Sequence, residues 1–334
     1  MAKMIDVAKL AGVSVATVSR VLAGSGKVSK NTKEKVERAM KELNYKPNKL
    51  ARNLRKLESK TIVVVIPDIS NPFFTDVIRG IQQVAQQHDY YVLLGDTGND
   101  VKAELDFIDL IKERAADGVI LVTARTSPEK ILEIAQEVPL VVACEYIKGA
   151  HLSMVTIDNV SSSQKVVDHL VSLGHRRIGF ISGPLNVIIS RDRLKGYVSG
   201  LKKHGLEQDS SLIQEGDFTI SSGFESANRL LDLAEPPTAV FASNDEMAIG
   251  TIKAIKNRGF QVPGDIAVVG FDDIQIATVI EPALTTVSQP KFEIGRCTME
   301  ILLELIQNPS TRQEHVVLPE HLVIRESCGY PLVR

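Results

Sequence analysis

The chain of 334 residues has no tryptophan, and aromatic side chains make up only 5% of it. Its cysteines number three, Cys144, Cys297 and Cys328, far apart in the chain. With no CxxC or Cys/His spacing, neither a zinc site nor a disulfide framework is expected. The seven histidines form no metal-ligand pattern either. No apolar run reaches the length needed to cross a bilayer. The N-terminal residues enter an amphipathic helix instead of a signal peptide, so a cytoplasmic protein is expected. Enzyme signatures are missing as well. There is no GxGxxG, no GxxxxGK[ST] and no GxSxG. No cofactor and no metal is therefore expected.

What is present is uneven charge. The net charge of −2 conceals a split: residues 1–60 carry 15 of the 39 Lys and Arg but only 5 of the 41 Asp and Glu. That leaves a head of +10 on a body of −12. A basic module joined to an acidic body suits polyanion binding coupled to a second task.

The head is organised around MIDVAKLAGVSVATVSRVLA, residues 4–23. Its apolar residues recur at helical spacing and are interrupted near Gly12, which permits a tight corner. Ser14 is placed to cap a second helix from Val15. Helix, turn, helix follows, with Val18, Val21 and Leu22 inward and Val15, Ala16, Thr17 and Arg20 left for the major groove of double-stranded DNA. A third helix is predicted over 31–45, with Asn31 and Glu34 as its capping box. Pro47 ends it. Residues 48–58 carry Leu50, Leu54 and Leu57 among four basic residues, a marginal helix that needs DNA or a second copy for support.

The body alternates apolar strands with amphipathic helices: strands at 61–67, 90–95, 118–123, 139–145 and 154–159, then a restart at 177–183, 212–216, 238–243 and 266–272, with a final strand at 315–325. This is doubly wound α/β in two lobes, with the interlobe cleft as the default ligand site. Predicted boundaries are 1–47 for the head, 48–60 for hinge and linker, and 61–334 for the core. The first lobe takes about 61–159 plus 291–320, the second about 160–290 plus 321–334.

Strand ends supply the candidate ligand contacts. Asp158, Asp245 and Asp272 lie where strands stop; Asp245 also reads as a helix cap, and one member of the Asp272–Asp273 pair should face the cleft. Arg193 follows the loop GPLNVIIS and can donate several hydrogen bonds. Phe73, Phe74 and Phe218 are candidate aromatic walls, with core packing as their alternative. The acidic pair also leaves a second reading open, a hydrolase acting on a nucleoside or sugar derivative.

IDVAKLAGVSVATVSRVL, NYKPNKLARNL, PDISNPFF, TIDN, LGHRRIGFISGP, RLKGY, PPTAVFASNDEMAIG, VPGDIAVVGFDD and PALTTVSQP occur in this order. Together they resemble the lactose/galactose repressor family of bacterial transcriptional regulators, over essentially the whole chain. IPDISNPFFTDVIRGI, FIDLI, GDFT and QPKFEIGR resemble its cytidine-repressor-type subgroup. The resemblance implies a repressor that binds a palindromic operator as a homodimer, with a periplasmic-binding-protein-like core and a small-molecule effector, a nucleoside or a sugar. It carries base reading to Val15, Ala16, Thr17 and Arg20 and a minor-groove wedge to Leu54. It carries effector contacts to Phe73, Phe74, Asp158, Arg193, Asp245 and Asp272. Where purine-reading members have a polar pair after GPL, this chain has Val187 and Ile189.

Overall fold

The computed structural model describes residues 2–22, 28–45, 58–112 and 115–329. Leu54 and nearly all of the marginal helix lie outside the described residues. The chain divides into two compact units, residues 1–59 and 60–334.

In the first unit, α1 (Met4–Ala11) stops at Gly12, whose φ of 66° is the left-handed conformation a β-carbon opposes. Ser14 then accepts the Thr17 N–H at 3.1 Å and starts α2 (Val15–Leu22). The third helix, α3 (Lys30–Glu42), is capped by Ser29 and not by Asn31: the Ser29 hydroxyl accepts the Thr32 N–H. The reason is spacing, because Ser29 and Thr32 stand in the cap-to-N3 relation while Asn31 is already inside the first turn. Val7, Ala8, Val18, Val36 and Ala39 meet in a small core. Burying these side chains is the main stabilisation open to helices this short.

The second unit contains two parallel sheets. The first has six strands: β1 (Thr61–Ile66), β2 (Tyr91–Asp96), β3 (Gly118–Val122), β4 (Leu140–Ala143), β5 (Ser153–Ile157) and β11 (His315–Leu318), in the order β11-β5-β4-β3-β1-β2. The second has four: β6 (Ile178–Ser182), β7 (Ile213–Glu215), β8 (Ala239–Ala242) and β9 (Ala267–Val269), in the order β7-β6-β8-β9. All neighbours in both pair in parallel. Strands β1, β3 and β4 are apolar and buried along nearly their whole length, because helices cover both faces of such sheets.

The segment expected as one final strand is two. β11 joins the first sheet, and β12 (His321–Val323) turns antiparallel onto β10 (Thr286–Ser288) beside the second sheet. Pro319 and Glu320 separate them; proline lacks the N–H that would continue a ladder. The chain therefore passes between the lobes here as well as near 158 and 290.

Each sheet reverses its winding once, between β1 and β3 and between β6 and β8. In open α/β sheets ligands bind outside the carboxyl ends of strands at such switch points. The two reversals position the site described next.

Candidate functional site

The first candidate surface is α2 of the head. Val18 is fully buried, whereas Val15 is 40% exposed and Ala16 and Arg20 are exposed. Thr17 is half-buried, and its hydroxyl lies 2.9 Å from that of Ser14. The helix thus presents a small apolar corner and a guanidinium on one side. That combination fits thymine methyl groups and guanine acceptors in a major groove.

The second is a cavity of about 320 Å³ between the lobes. From the first lobe it takes the segments after β1, β2, β3 and β4; from the second, those after β6, β7, β8 and β9. Phe73, Phe74, Arg193, Phe218 and Asp272 all line it. Phe73 and Phe74 open α4 (Phe73–Gln87) and meet edge to face at 5.2 Å. Phe218 faces the same cavity from the second lobe. Val187 and Ile189 add an apolar wall beside the amide of Asn186.

Arg193, on α8 (Ile188–Lys203), is 3% exposed. Its Nε donates to Asn159 Oδ1 at 2.9 Å and its Nη1 to the Ser243 carbonyl. The guanidinium lies 3.8 Å above the centre of the Phe271 ring, and Nη1 is 3.7 Å from Asp272 Oδ1. Burial pulls its pKa below the usual arginine value, while Asp272 and Asp245 oppose that. Gln289 donates to Asp272 Oδ1 at 2.7 Å. Burial pushes Asp272 up to about 6 against the pull of Arg193, Lys291 and Gln289. The neighbouring Asp273 turns away and takes a hydrogen bond from Arg325 at 2.6 Å. Asp272 and Asp273 have φ of 114° and 56°, and this backbone sends their side chains to different partners.

Thr123, Cys144 and Phe218 also line the cavity with positive φ. Such conformations cost roughly 1–3 kcal/mol each and persist where the surroundings over-determine them, often at ligand sites. Cys144 is buried, and its thiol is pushed far up by burial and by Glu145. A thiol held protonated, with no histidine among the described cavity residues, is a poor nucleophile.

Two expected contacts fall elsewhere. Asp158 is exposed and caps α7 (Asn159–Ser172), accepting the Ser161 N–H at 2.9 Å. Asp245, the first residue of α10 (Asp245–Asn257), is fully buried beneath the cavity floor, where it accepts from the Ile274 N–H at 2.8 Å and the Thr286 hydroxyl at 2.5 Å. Burial, then Asp272, raise its pKa well above the usual carboxylate range. The cap of α10 is Asn244, which does line the cavity. Asn71, Asn99, Arg125, Asn244, Glu246 and Gln289 line the cavity without having been singled out. Their one signal was position: each sits just beyond a strand's carboxyl end.

Residues 3–48 match the model for bacterial regulatory proteins of the lacI family, and residues 167–328 match that for a periplasmic binding protein-like domain. The HTH-type transcriptional repressor CytR of Escherichia coli (strain K12) is 41% identical over 327 residues, covering 98% of this chain and 96% of that protein. The chain belongs to the lacI family. It is a DNA-binding transcriptional regulator, and the head and cleft described above are the two halves of that architecture. Among solved structures, the lac repressor dimer bound to operator and the anti-inducer ONPF superposes with a TM-score of 0.89 at 30% identity, covering 98% of this chain and 99% of that one. The complex of the transcriptional regulator CelR with cellobiose matches with a TM-score of 0.75 at 32% identity, over 98% of this chain and all of that one. No helix among the described residues is long and apolar enough to cross a membrane.

Proposed function

We propose that this regulator represses transcription by binding a palindromic operator as a homodimer, and that a small polar effector in the interlobe cleft controls its operator affinity. The effector is a hydroxyl-bearing molecule with a ring, a nucleoside or a sugar. The observation that carries this reading is the buried Arg193–Asp272–Gln289 network facing three aromatic rings across one cavity. In such a site hydroxyls exchange hydrogen bonds with charged groups at low dielectric while a ring packs on aromatic faces. The CelR–cellobiose complex and the operator-bound lac repressor dimer support ligand binding and dimeric DNA binding by relatives of this build. Val15, Ala16, Thr17 and Arg20 read bases, and Leu54 wedges into the minor groove. Work on operator DNA makes the cytoplasm its compartment.

The test is calorimetry with a panel of nucleosides and sugars, with and without an operator duplex. An effector must bind with different affinity in the two states. A ligand that binds equally in both is not the effector, and a panel in which Arg193→Ala and Asp272→Ala leave every affinity intact refutes the cleft chemistry.

A further inference from the structure

The cavity lining carries four carboxylates, Asp68, Asp217, Glu246 and Asp272, against two guanidinium groups, Arg125 and Arg193. Both cations are already engaged by the protein. Arg193 is held by Asn159, the Ser243 carbonyl and Asp272. Arg125 donates to Asn99 Oδ1 at 3.0 and 2.8 Å and to the Thr123 carbonyl at 3.3 Å. Helix N-termini ordinarily attract anions. Several of the N–H groups opening on this cavity are covered by the chain's own oxygens, although α8, which starts beside Val187, has no side-chain cap. Asn71 takes the Phe73 N–H, Asn244 the Met247 N–H and Asp217 the Thr219 N–H, at 2.9 to 3.0 Å. A phosphate would meet surplus negative charge, and both guanidinium groups already spend part of their donors on the protein.

Glu246 differs from the other three carboxylates. Asp68 accepts from Ser70, Asp217 from Thr219 and Asp272 from Gln289. Among the described residues the Glu246 side chain makes no hydrogen bond, although it lines the cavity, half-buried, in the first turn of α10. Asp68 lines the same cavity from the opposite lobe.

We propose that Glu246, with Asp68 opposite it, is a specificity-determining residue: it accepts a hydrogen bond from an amine or hydroxyl of the effector and excludes phosphorylated ligands of otherwise the same shape. This rests on the effector reading above and narrows it to unphosphorylated, donor-bearing ligands. Building unpaired like charge against an unwanted ligand is an ordinary source of discrimination. Burial, Asp272 and Asp68 together lift Glu246 to about 7, which agrees with carboxylates crowded around a space no cation fills.

The experiment is calorimetric titration of the full chain with adenosine, cytidine, uridine, ribose and glucose, each beside its own monophosphate. At least one parent compound should bind, with its phosphate ester weaker by about tenfold or more, a gap of about 1.4 kcal/mol. Glu246→Gln should close most of that gap and Asp68→Asn part of it. Melting of each variant shows that it is folded; should Glu246→Gln not fold, Asp68→Asn carries the test. A phosphate ester that binds the unaltered chain as tightly as its parent overturns the proposal. So does a gap unchanged in the folded variants; if Arg193→Ala still abolishes parent binding in that case, the effector reading stands and only charge selection falls. Binding of no compound in either set overturns both.

Discussion

A buried guanidinium is tolerable only when several groups replace its water, and Arg193 has a carbonyl, an amide, an aromatic face and a carboxylate. Removing Asp272 leaves that charge poorly compensated. Breaking a buried pair typically costs about 3–5 kcal/mol; at 3.7 Å this one should fall at or below the lower end. Asp272→Ala should therefore lower the unfolding midpoint in urea as well as ligand affinity. Loss of neither would show that the pair does not matter. A second residue-scale prediction concerns Glu145, 4% exposed, which accepts the Ala124 N–H. Burial pushes it up to about 8, and Glu104 adds to this against Ala124, Arg125 and Arg191. The folded state then binds a proton more tightly than the unfolded chain. Its contribution is fully present below the unfolded value near 4.5 and is lost as pH rises through about 8. Glu145→Gln should flatten the fall in stability across that window, as read by urea unfolding at several pH values; an unchanged slope refutes it. At this scale the sequence was partly legible. Arg193 stood out as a charge opening a helix after the loop GPLNVIIS, and Asp272 as one at a strand end. Asp158 and Asp245 stood at equivalent places, yet one caps a helix in solvent and the other lies beneath the floor. A carboxylate beside a helix start serves as cap, buried anchor or ligand contact according to its tertiary surroundings, which spacing does not contain.

At the level of elements, the alternation of strand and helix was readable because buried parallel strands are continuous apolar runs and their covering helices are amphipathic. The division of 315–325 between two sheets was not, since short apolar stretches on either side of Pro319 look alike until their partners are known. Close packing of α4 on α11 (Lys291–Gln307) was equally hidden. A β-carbon on Gly80 would come within 2.1 Å of the Phe292 carbonyl oxygen, and one on Gly295 within 1.9 Å of that of Val77. Both obstacles are backbone, so a side chain cannot swing aside. Gly295→Ala should push the helices apart and cost roughly 1–3 kcal/mol, the usual penalty of overpacking. Gly98→Ala would meet no atom within 4 Å but has a φ of 57°, so its smaller cost is backbone strain alone. Thermal unfolding of the two variants should rank them in that order; the reverse order would contradict the packing.

Over the whole molecule, the +10 head and −12 body assign charge to the two tasks separately. Phosphate contacts give affinity without sequence information, so operator affinity should fall steeply with salt. Arg20→Ala should cost about 1–3 kcal/mol of discrimination between matched and mismatched duplexes. Equal loss on all sequences would reduce Arg20 to a backbone contact. The coupling between head and cleft is a statement about free energies, and it has a necessary symmetry. If the effector changes operator affinity by some factor, the operator changes effector affinity by the same factor, in the same direction. Couplings of this kind are typically about 1–3 kcal/mol, or roughly 5–150-fold. Effector affinity measured by calorimetry with and without duplex, and operator affinity measured by fluorescence anisotropy with and without effector, should therefore give one factor. Weakening in both directions identifies an inducer, and strengthening in both identifies a corepressor. Phe73, Phe74 and Phe218 stand on opposite lobes, so closure of the cleft on a ring is the event both measurements would sense. Phe218→Ala should then reduce effector affinity and leave the coupling factor for whatever still binds within about twofold, provided the remaining walls select the same closed state. A variant that keeps effector affinity but loses the coupling would place the ring in the transmission of the signal and not in the grip on the ligand.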